Sequence, residues 1–310
     1  MAGQLWLTDS LGGFLANAPL SKKIRHGAQP LMKFRQFVDA ESAAGKSRGD
    51  TFLFDKISNI STQGGTLTET STIPKNNYTI TQGSLVVNEY GNSIPFTLKG
   101  QTLAEASVPD IIKTVLRNDM AKVMDTAAAA EFKATDYLAV CSDTATTVFT
   151  TNSAVTVTAS ANMSDKNVRD IVDQLKKLNV PRYDGQGNYI AICSTNMIRG
   201  LYDFFEVKAN QTTMGPAFAG EMGRYYGCRY VEETNHLSNV IGSGSVLGEA
   251  IFFGADAVKE GLVIPENIRM AIPSDFGRDQ AIAWYALTGF KKTWDYGDDG
   301  ETRIIYATSA

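Results

Sequence analysis

Residues Val108–Lys133 read VPDIIKTVLRNDMAKVMDTAAAAEFK, the longest uninterrupted helical pattern in the chain. Apolar side chains recur along it at helical spacing, and no Gly or Pro follows Pro109. Pro109 fits a first helical turn, where its missing N–H costs nothing. Ser107 is a suitable N-cap, and the negative charge of Asp110 suits the helix dipole. The pattern therefore predicts one amphipathic helix of roughly 39 Å, at a rise of ~1.5 Å per residue.

The composition is that of an ordinary folded protein. The chain has 310 residues, of which 43% are hydrophobic and 20% charged. This length suffices for one large domain or two ordinary ones. The formal net charge is -4 at pH 7. An acidic balance argues against a dedicated nucleic-acid reader, because phosphate binding needs a basic surface.

No segment of the sequence predicts secretion or membrane insertion. The N-terminus lacks a charged region followed by an apolar core, and no apolar run approaches the length that spans a bilayer. The three cysteines are far apart and form no CxxC pair, so neither a disulfide framework nor a zinc site is predicted. Cys193 and Cys228 lie in strand-like runs and should be small buried hydrophobes. We expect a protein without membrane contact that folds in a reducing cytoplasm.

Residues 1–46 have the character of an arm. Short apolar clusters are separated by Gly, Pro and basic residues, which leaves too little apolar surface for a separate core. Up to Val38 the only acidic residue is Asp9. The basic residues of the same stretch are Lys22, Lys23, Arg25, Lys33 and Arg35. We expect this arm to become ordered against another surface.

Residues 47–98 change to a polar, β-rich composition. Thr, Ser, Asn and Gly dominate, and Gly64-Gly65 and Asn76-Asn77 mark turns. The alternating apolar and aromatic positions are Phe52, Phe54, Tyr78, Ile80, Leu85 and Val87. The pattern predicts one or two long β-hairpins that are polar on both faces. Because an isolated hairpin is marginal in water, it should project and lie on a neighbouring surface.

The remainder of the chain mixes helices and strands. A helix over Asp165–Leu178 is capped by Ser164 and stopped before Pro181, and Tyr189–Cys193 is a buried strand. Gly297–Gly300 predicts a hairpin turn. Further strands are predicted at 228–232, 251–254, 262–264, 268–272, 281–290 and 302–307. Because no regular βαβ repeat occurs, the fold class is predicted to be α+β.

No constellation of nucleophile, base and orienting group emerges from the sequence. The run 45–47 resembles the end of a P-loop, but the earlier glycine that the motif requires is Ala40. His26 and His236 are the only histidines, and neither suggests a metal site. An acidic cluster lacks the spacing of a Ca²⁺ loop and is better explained as a solvated turn; its members are Asp295, Asp298, Asp299 and Glu301. We predict no catalytic, cofactor-binding or metal site and no enzymatic activity.

The order of the parts resembles that of the tailed-bacteriophage major capsid proteins with the HK97-like fold. In that family an N-terminal arm, an extended loop, a long spine helix, an apical domain and a peripheral domain follow one another. Local segments resemble the N4-like and P22-like branches of the family. These segments are Gly49–Thr70, Thr79–Thr97, Val168–Ile192, Gly220–Asn235 and Ala281–Lys292.

The resemblance implies a division of the chain into named regions. Residues 1–46 would be the arm and 47–98 the extended loop. The peripheral domain would comprise 99–163, including the spine helix, together with return strands in 249–310. The apical domain would comprise 164–248 and surround the axes of the capsomers. The apolar side of the spine helix should pack on the returning strand near 281–290.

The resemblance also implies a function. Copies of the chain would assemble as hexamers and pentamers into an icosahedral shell that encloses double-stranded DNA, in the virion and after assembly in the cytoplasm of a bacterial host. Portal, scaffolding and cement proteins would be partners, and no cofactor is implied. The six alternating residues of the extended loop would contact an adjacent subunit. The five basic residues of the arm would face the inside of the shell, near DNA or a scaffold.

Two alternatives remain open at this point. An encapsulin-type nanocompartment shell shares the fold but encloses a cargo enzyme, and the N4-like and P22-like segments favour the viral shell over it. A soluble enzyme with an unrecognised active site is the second alternative.

Overall fold

The computed structural model of the protein describes residues 26–42, 50–57, 64–70, 72–104, 106–202 and 221–310. The predictions made for Lys22, Lys23, Arg25 and the run 45–47 lie outside the described residues. The helices are α1 (Leu98–Leu103), α2 (Val108–Lys133), α3 (Asp165–Lys177), α4 (Thr195–Ile198) and α5 (Tyr296–Asp299). The strands are β1 (Asp39–Ser42), β2 (Thr51–Ile57), β3 (Ile80–Val86), β4 (Asn88–Thr97), β5 (Leu138–Cys141), β6 (Thr147–Thr150), β7 (Tyr189–Cys193), β8 (Glu221–Tyr225), β9 (Cys228–Glu232), β10 (Ala250–Phe253), β11 (Val258–Met270), β12 (Asp279–Lys292) and β13 (Ile304–Ala307). This mixture confirms the α+β prediction.

Helix α2 has the predicted bounds, with Pro109 in its first turn. Ser107 makes no capping hydrogen bond to the backbone; its hydroxyl instead donates to Asp110 Oδ2 at 2.7 Å. One side of the helix is buried, and its members are Val108, Ile112, Leu116, Met124, Asp125, Ala128, Ala129 and Phe132. Ala128 and Ala129 have no exposed surface, because their small side chains let neighbouring elements approach closely. The helix is confirmed, and the capping role of Ser107 is corrected.

A four-stranded sheet in the order β1-β11-β12-β4 packs against α2. Strand β12 lies between β11 and β4 and is antiparallel to both. Its Ile282, Trp284 and Phe290 share one core with residues of the buried side of α2. Trp284 Nε1 donates to Asp119 Oδ2 on α2 at 2.9 Å. The predicted packing of the long helix on 281–290 is therefore confirmed.

Strand β11 runs through a position where the sequence predicted a break. The two strands predicted at 262–264 and 268–272 are parts of one strand, β11, which ends at Met270. The register with β12 shifts between Leu262 and Ile264 and again between Ile264 and Asn267. Pro265 lies in this interval and cannot donate to the ladder, so the strand continues through an irregularity instead of ending.

A seven-stranded mixed sheet in the order β6-β5-β13-β10-β7-β9-β8 forms the second layer of strands. One face of its centre joins the core around α2, through residues such as Ile190, Ile251 and Phe253. The opposite face joins a second core, which contains the apolar side of α3. The two faces alternate along β7 and β10, as the period of two in a strand requires. The sheet thus lies between α3 and α2.

Helix α3 begins at the predicted cap. Ser164 Oγ accepts a hydrogen bond from Asn167 N at 3.2 Å, and the Asn167 side chain returns to the backbone of Ser164. Cys193 and Cys228 lie in the core beneath α3 with no exposed surface, which confirms the prediction for both. Burial raises the pKa of both thiols well above the ordinary value, so both stay protonated and apolar.

The seven-stranded sheet draws strands from three of the predicted regions. Strands β5 and β6 precede residue 164, β7 to β9 lie within 164–248, and β10 and β13 follow. The predicted divisions at 164 and 248 therefore do not coincide with an edge of this sheet.

Strands β2 and β3 pair antiparallel as a separate two-stranded sheet, which we call the ribbon. Strand β4 does not belong to the ribbon, because it pairs with β12 in the four-stranded sheet. The ribbon is also not polar on both faces. Phe52, Phe54 and Leu85 lie on one face and are buried. The predicted loop 47–98 is thus a ribbon followed by a strand of the main body.

The predicted hairpin turn at Gly297–Gly300 is wrong. The segment forms the short helix α5, and Gly300 ends it with a left-handed φ of 70°. The strands on either side, β12 and β13, belong to different sheets and cannot form a hairpin. Acidic residues at a helix start and a glycine just after its end fit this short helix equally well.

Candidate assembly surfaces

Several charged side chains among the described residues form ion pairs with a residue of opposite charge. Within the described ranges, no group of three or more His, Cys, Asp or Glu side chains is placed to hold a metal ion. None of the helices described is long and apolar enough to cross a membrane. In the acidic cluster, Asp299 Oδ2 lies 2.6 Å from Lys56 Nζ and Asp295 Oδ2 lies 2.6 Å from Lys292 Nζ. These carboxylates therefore hold elements of the fold together.

The inner face of the ribbon is fastened to the body of its own subunit. Phe52, Phe54 and Leu85 form a buried cluster, against which Val87 and Val263 pack. Side chains that are covered by their own chain cannot form the predicted contact with an adjacent subunit. The prediction is therefore corrected for Phe52, Phe54 and Leu85, which are anchors within the subunit. Val87, between β3 and β4, is partly buried in the same place.

The outer face of the ribbon carries the apolar side chains that remain open. Leu53, Ile57, Ile80 and Val86 are each more than half exposed. The cross-strand pairs Thr51–Val86, Leu53–Ser84 and Ile57–Ile80 alternate with the inward pairs, so the four apolar side chains point to the same side. Of the predicted contact residues, Ile80 belongs to this face, and Tyr78 is exposed just before it. Whether they touch another subunit stays a prediction.

A second apolar projection is the turn between β11 and β12. Met270, Ile272 and Phe276 are strongly exposed there, and Phe276 is fully so. Asp275 and Phe276 have left-handed φ values of 47° and 53°, a conformation that costs non-glycine residues on the order of 1–3 kcal/mol. Ser274 N donates to Asp279 O at 3.1 Å, and this bond closes the turn. The hydrogen-bonded turn thus fixes the backbone around Phe276, whose side chain is fully exposed.

The described end of the arm is anchored to α2 and β11. Asp125 Oδ1 accepts from the backbone N of Phe34 at 2.8 Å and of Arg35 at 3.1 Å. Arg35 Nη2 lies 2.8 Å from Glu260 Oε1, and the guanidinium also pairs with Glu266. Burial lowers the pKa of Arg35, but bonds to the two glutamates outweigh it and the net shift is upward.

Two of the predicted inner-face residues, Lys33 and Arg35, lie in this described end of the arm. Arg35 pairs with two carboxylates of its own chain while about a third of its side chain stays exposed, and its predicted inner-face role stays a prediction. Lys33 is half-buried, and its predicted role is untested. Sequence reasoning missed Asp125 as the arm's anchor, although an acidic residue on the buried side of an apolar helix was a usable signal.

Two further buried carboxylates lie near this anchor. Glu233 has no exposed surface and accepts backbone N–H bonds from Asn235, His236 and Leu237. Burial raises the pKa of Asp125 and of Glu233, against the lowering effect of those bonds. Glu249 Oε2 lies 2.6 Å from Lys133 Nζ at the end of α2. The arm, α2 and the loop after β9 are thus joined by polar contacts inside the core.

The described chain is similar to solved phage capsid structures over nearly its whole length. No protein-family model and no curated protein matches it. The capsid of Ralstonia phage GP4 aligns with a TM-score of 0.73 at 13% identity, covering 97% of this chain and 97% of that chain. The head structure of Helicobacter pylori bacteriophage KHP40 aligns with a TM-score of 0.68 at 12% identity, covering 94% and 95%. A structure from Mycobacterium phage Che8 aligns with a TM-score of 0.64 at 14% identity, covering 96% and 98%.

At these identities the likeness establishes the fold. The chain has the HK97-like fold that the order of its parts predicted. The N4-like and P22-like resemblance of local segments stays a prediction.

Proposed function

We propose that this chain is the major capsid protein of a tailed bacteriophage. In this proposal copies of the chain self-assemble as hexamers and pentamers into an icosahedral shell that encloses double-stranded DNA. The observation that carries the proposal is the end-to-end likeness to a phage capsid chain, which extends over 97% of both. The role is structural, without catalysis, and the location is the virion capsid.

The exposed apolar side chains support assembly with other copies of the same chain. Two groups of them lie on the outer face of the ribbon and on the turn at 270–276. Contiguous exposed apolar surface is typical of protein interfaces. Because copies of one chain surround each subunit in a shell, the occupant of both surfaces is a second copy.

Other partners follow from the same proposal. The basic residues of the arm that remain unassigned, Lys22, Lys23, Arg25 and Lys33, lie inside the shell near packaged DNA or a scaffolding protein. Contact with DNA is non-specific, because attraction between basic side chains and phosphates does not depend on base sequence. A portal protein and cement proteins complete the particle, and assembly takes place in the bacterial cytoplasm. The matched structures named after phage capsids favour the viral shell over a nanocompartment.

Electron microscopy of the purified full-length chain tests the proposal. We expect rings of five or six subunits, or closed shells, that increase with protein concentration and appear as fast species in sedimentation velocity. The samples should include the protein alone and after mixing with phage lysate, since a scaffolding partner can be needed for closure. A monomer at every concentration and in both samples would contradict the proposal.

A further inference from the structure

Gly261 and Gly289 face each other across β11 and β12, at the point where the ribbon meets the four-stranded sheet. Neither glycine has a positive φ, so the backbone conformation does not require glycine at either position. Two adjacent glycines leave a patch of the sheet surface without side chains. We call this patch the glycine seat.

The glycine seat is filled by the ribbon. A Cβ at Gly289 would lie 2.2 Å from Val86 O and 2.7 Å from Leu85 Cδ2. A Cβ at Gly261 would lie 2.9 Å from Leu85 Cδ2. Leu85 has no exposed surface, so its side chain is fully enclosed where it lies on the seat. The chain passes directly over Gly289 just before it enters β4 at Asn88.

A third glycine lies in the inner face of the ribbon itself and makes room for an aromatic ring. Gly83 is the cross-strand partner of Phe54, and a Cβ there would lie 2.3 Å from the Phe54 ring. The ring therefore lies over the backbone of Gly83, an arrangement in which an aromatic side chain covers a strand glycine. Lys259 Nζ on β11 lies 5.3 Å from the centre of the same ring.

The second attachment of the ribbon is an ion pair. Lys56 Nζ lies 2.6 Å from Asp299 Oδ2, and both side chains are about one-tenth exposed. The ribbon is thus held to the body at two places, the glycine seat near the end of β3 and the ion pair near the end of β2. Because a two-stranded sheet is marginal alone, its direction must come from such attachments.

We infer that the glycine seat is a positioning site, which sets the direction in which the ribbon leaves the subunit and so places its outer face for the next copy. This inference rests on the proposed function, because it assumes that the outer face meets another subunit. The two glycines should differ in importance. The Val86 carbonyl over Gly289 is backbone and cannot turn away, whereas the atoms over Gly261 are the end of a flexible side chain.

Hydrogen exchange and shell formation of two single variants test the inference. Gly289→Ala should raise amide exchange in peptides covering 51–57 and 80–86 by about tenfold or more. It should leave 189–193 unchanged and reduce the yield of shells. Gly261→Ala should have a smaller effect. Gly185→Ala is the matched control, since nothing lies within 4 Å of a Cβ there.

Double variants with Leu85→Val separate the two positions. Adding Gly261→Ala to Leu85→Val should change exchange little, because the shortened side chain leaves room. Adding Gly289→Ala should still raise it, because the Val86 carbonyl remains. If Gly289→Ala does not fold, Leu85→Ala empties the seat without a clash and should also raise exchange in the ribbon.

Two results would overturn the inference. One is ribbon exchange in Gly289→Ala, or in Leu85→Ala if that variant replaces it, equal to that of the parent. The other is increased exchange together with normal shells, which would show that the seat does not position the ribbon for assembly. Failure of the parent protein to assemble would instead contradict the proposed function, and the exchange measurement would still test the seat.

Discussion

Asp125 is the residue that fastens the arm to the long helix. It is buried on the inner side of α2 and accepts the backbone N–H groups of Phe34 and Arg35. Backbone donors at a turn have no partner within the turn itself, so a carboxylate from another element satisfies them. The aromatic rings of Phe34 and Phe37 then enter the core beside Phe132 and Phe253. One polar side chain thus sets where the arm joins the body.

Replacing this carboxylate should destabilise the subunit. Asp125→Ala leaves the buried N–H of Phe34 and the partly buried N–H of Arg35 without an acceptor, and we expect a loss of about 1–3 kcal/mol in the free energy of unfolding. Urea denaturation of the variant measures the loss. Glu69→Ala, which removes a carboxylate from an exposed segment, should change stability by less than about 0.5 kcal/mol. Equal stability of Asp125→Ala and the parent would refute the anchoring role.

The same carboxylate predicts a pH dependence. Burial raises the pKa of Asp125 above its ordinary value of 3.8, so the folded state binds this proton more tightly than the unfolded state. The contribution of Asp125 to stability is therefore largest at low pH and falls as pH rises through the raised pKa. The difference in unfolding free energy between the parent and Asp125→Asn should accordingly decrease from pH 3.8 upward. Glu233 is present in both proteins, and its pKa is raised mainly by burial and to a smaller extent by the charge of Asp125. A difference that increases with pH would contradict the prediction.

The two faces of the ribbon differ, because one is buried against the body and the other is exposed. Its inner face holds it to the body, and its outer face presents Leu53, Ile57, Ile80 and Val86 to the surroundings. Nothing in the alternation of β2 and β3 distinguishes the two faces, because both carry apolar side chains at a period of two. The sheet beneath the ribbon makes the distinction.

Charges on the outer face should prevent assembly without unfolding the subunit. Ile57 and Ile80 are a cross-strand pair, and Ile57→Asp with Ile80→Asp places two like charges on an apolar surface. We expect the thermal midpoint of the unassembled subunit to stay close to that of the parent, while rings and shells disappear in sedimentation velocity. Ser84→Thr, on the same face, is the control and should assemble as the parent does. Normal shells from the double variant would argue against the outer face as an interface.

At the scale of the whole molecule, the layers share their cores. The seven-stranded sheet contributes one face to the core around α2 and the other to the core beneath α3. The four-stranded sheet is tied to the same α2 core through Trp284. Loss of one layer therefore exposes the next, and the subunit should unfold as one cooperative unit.

Leu175→Asp tests this coupling. Leu175 is fully buried beneath α3, and an unpaired charge there should cost on the order of 3 kcal/mol or more. We expect amide exchange to increase in the distant strand β12 as well as in α3, because both belong to one unit. Lys177→Ala, on the exposed side of the same helix, should leave both regions unchanged. An increase confined to α3 would mean that the two cores unfold independently.

The sequence predicted well the features that depend on neighbours along the chain. Helix α2 and the cap of α3 follow from spacing and from a residue three positions away. The burial of Cys193 follows from a short apolar run. Position 265 shows the limit of such local rules, since a proline that argues for a break was accommodated within β11.

Local pattern alone therefore determined the long helix, the α+β class and the order of parts that led to the HK97-like fold. Tertiary structure determined which face of the ribbon is covered and that the ribbon packs on Gly261 and Gly289. It also determined that Arg35 forms ion pairs within its own chain. These depend on partners far apart in the chain, such as Lys56 and Asp299, which are separated by 243 positions. Periodicity reports how a segment divides its own faces, but only the packed neighbours determine what each face touches.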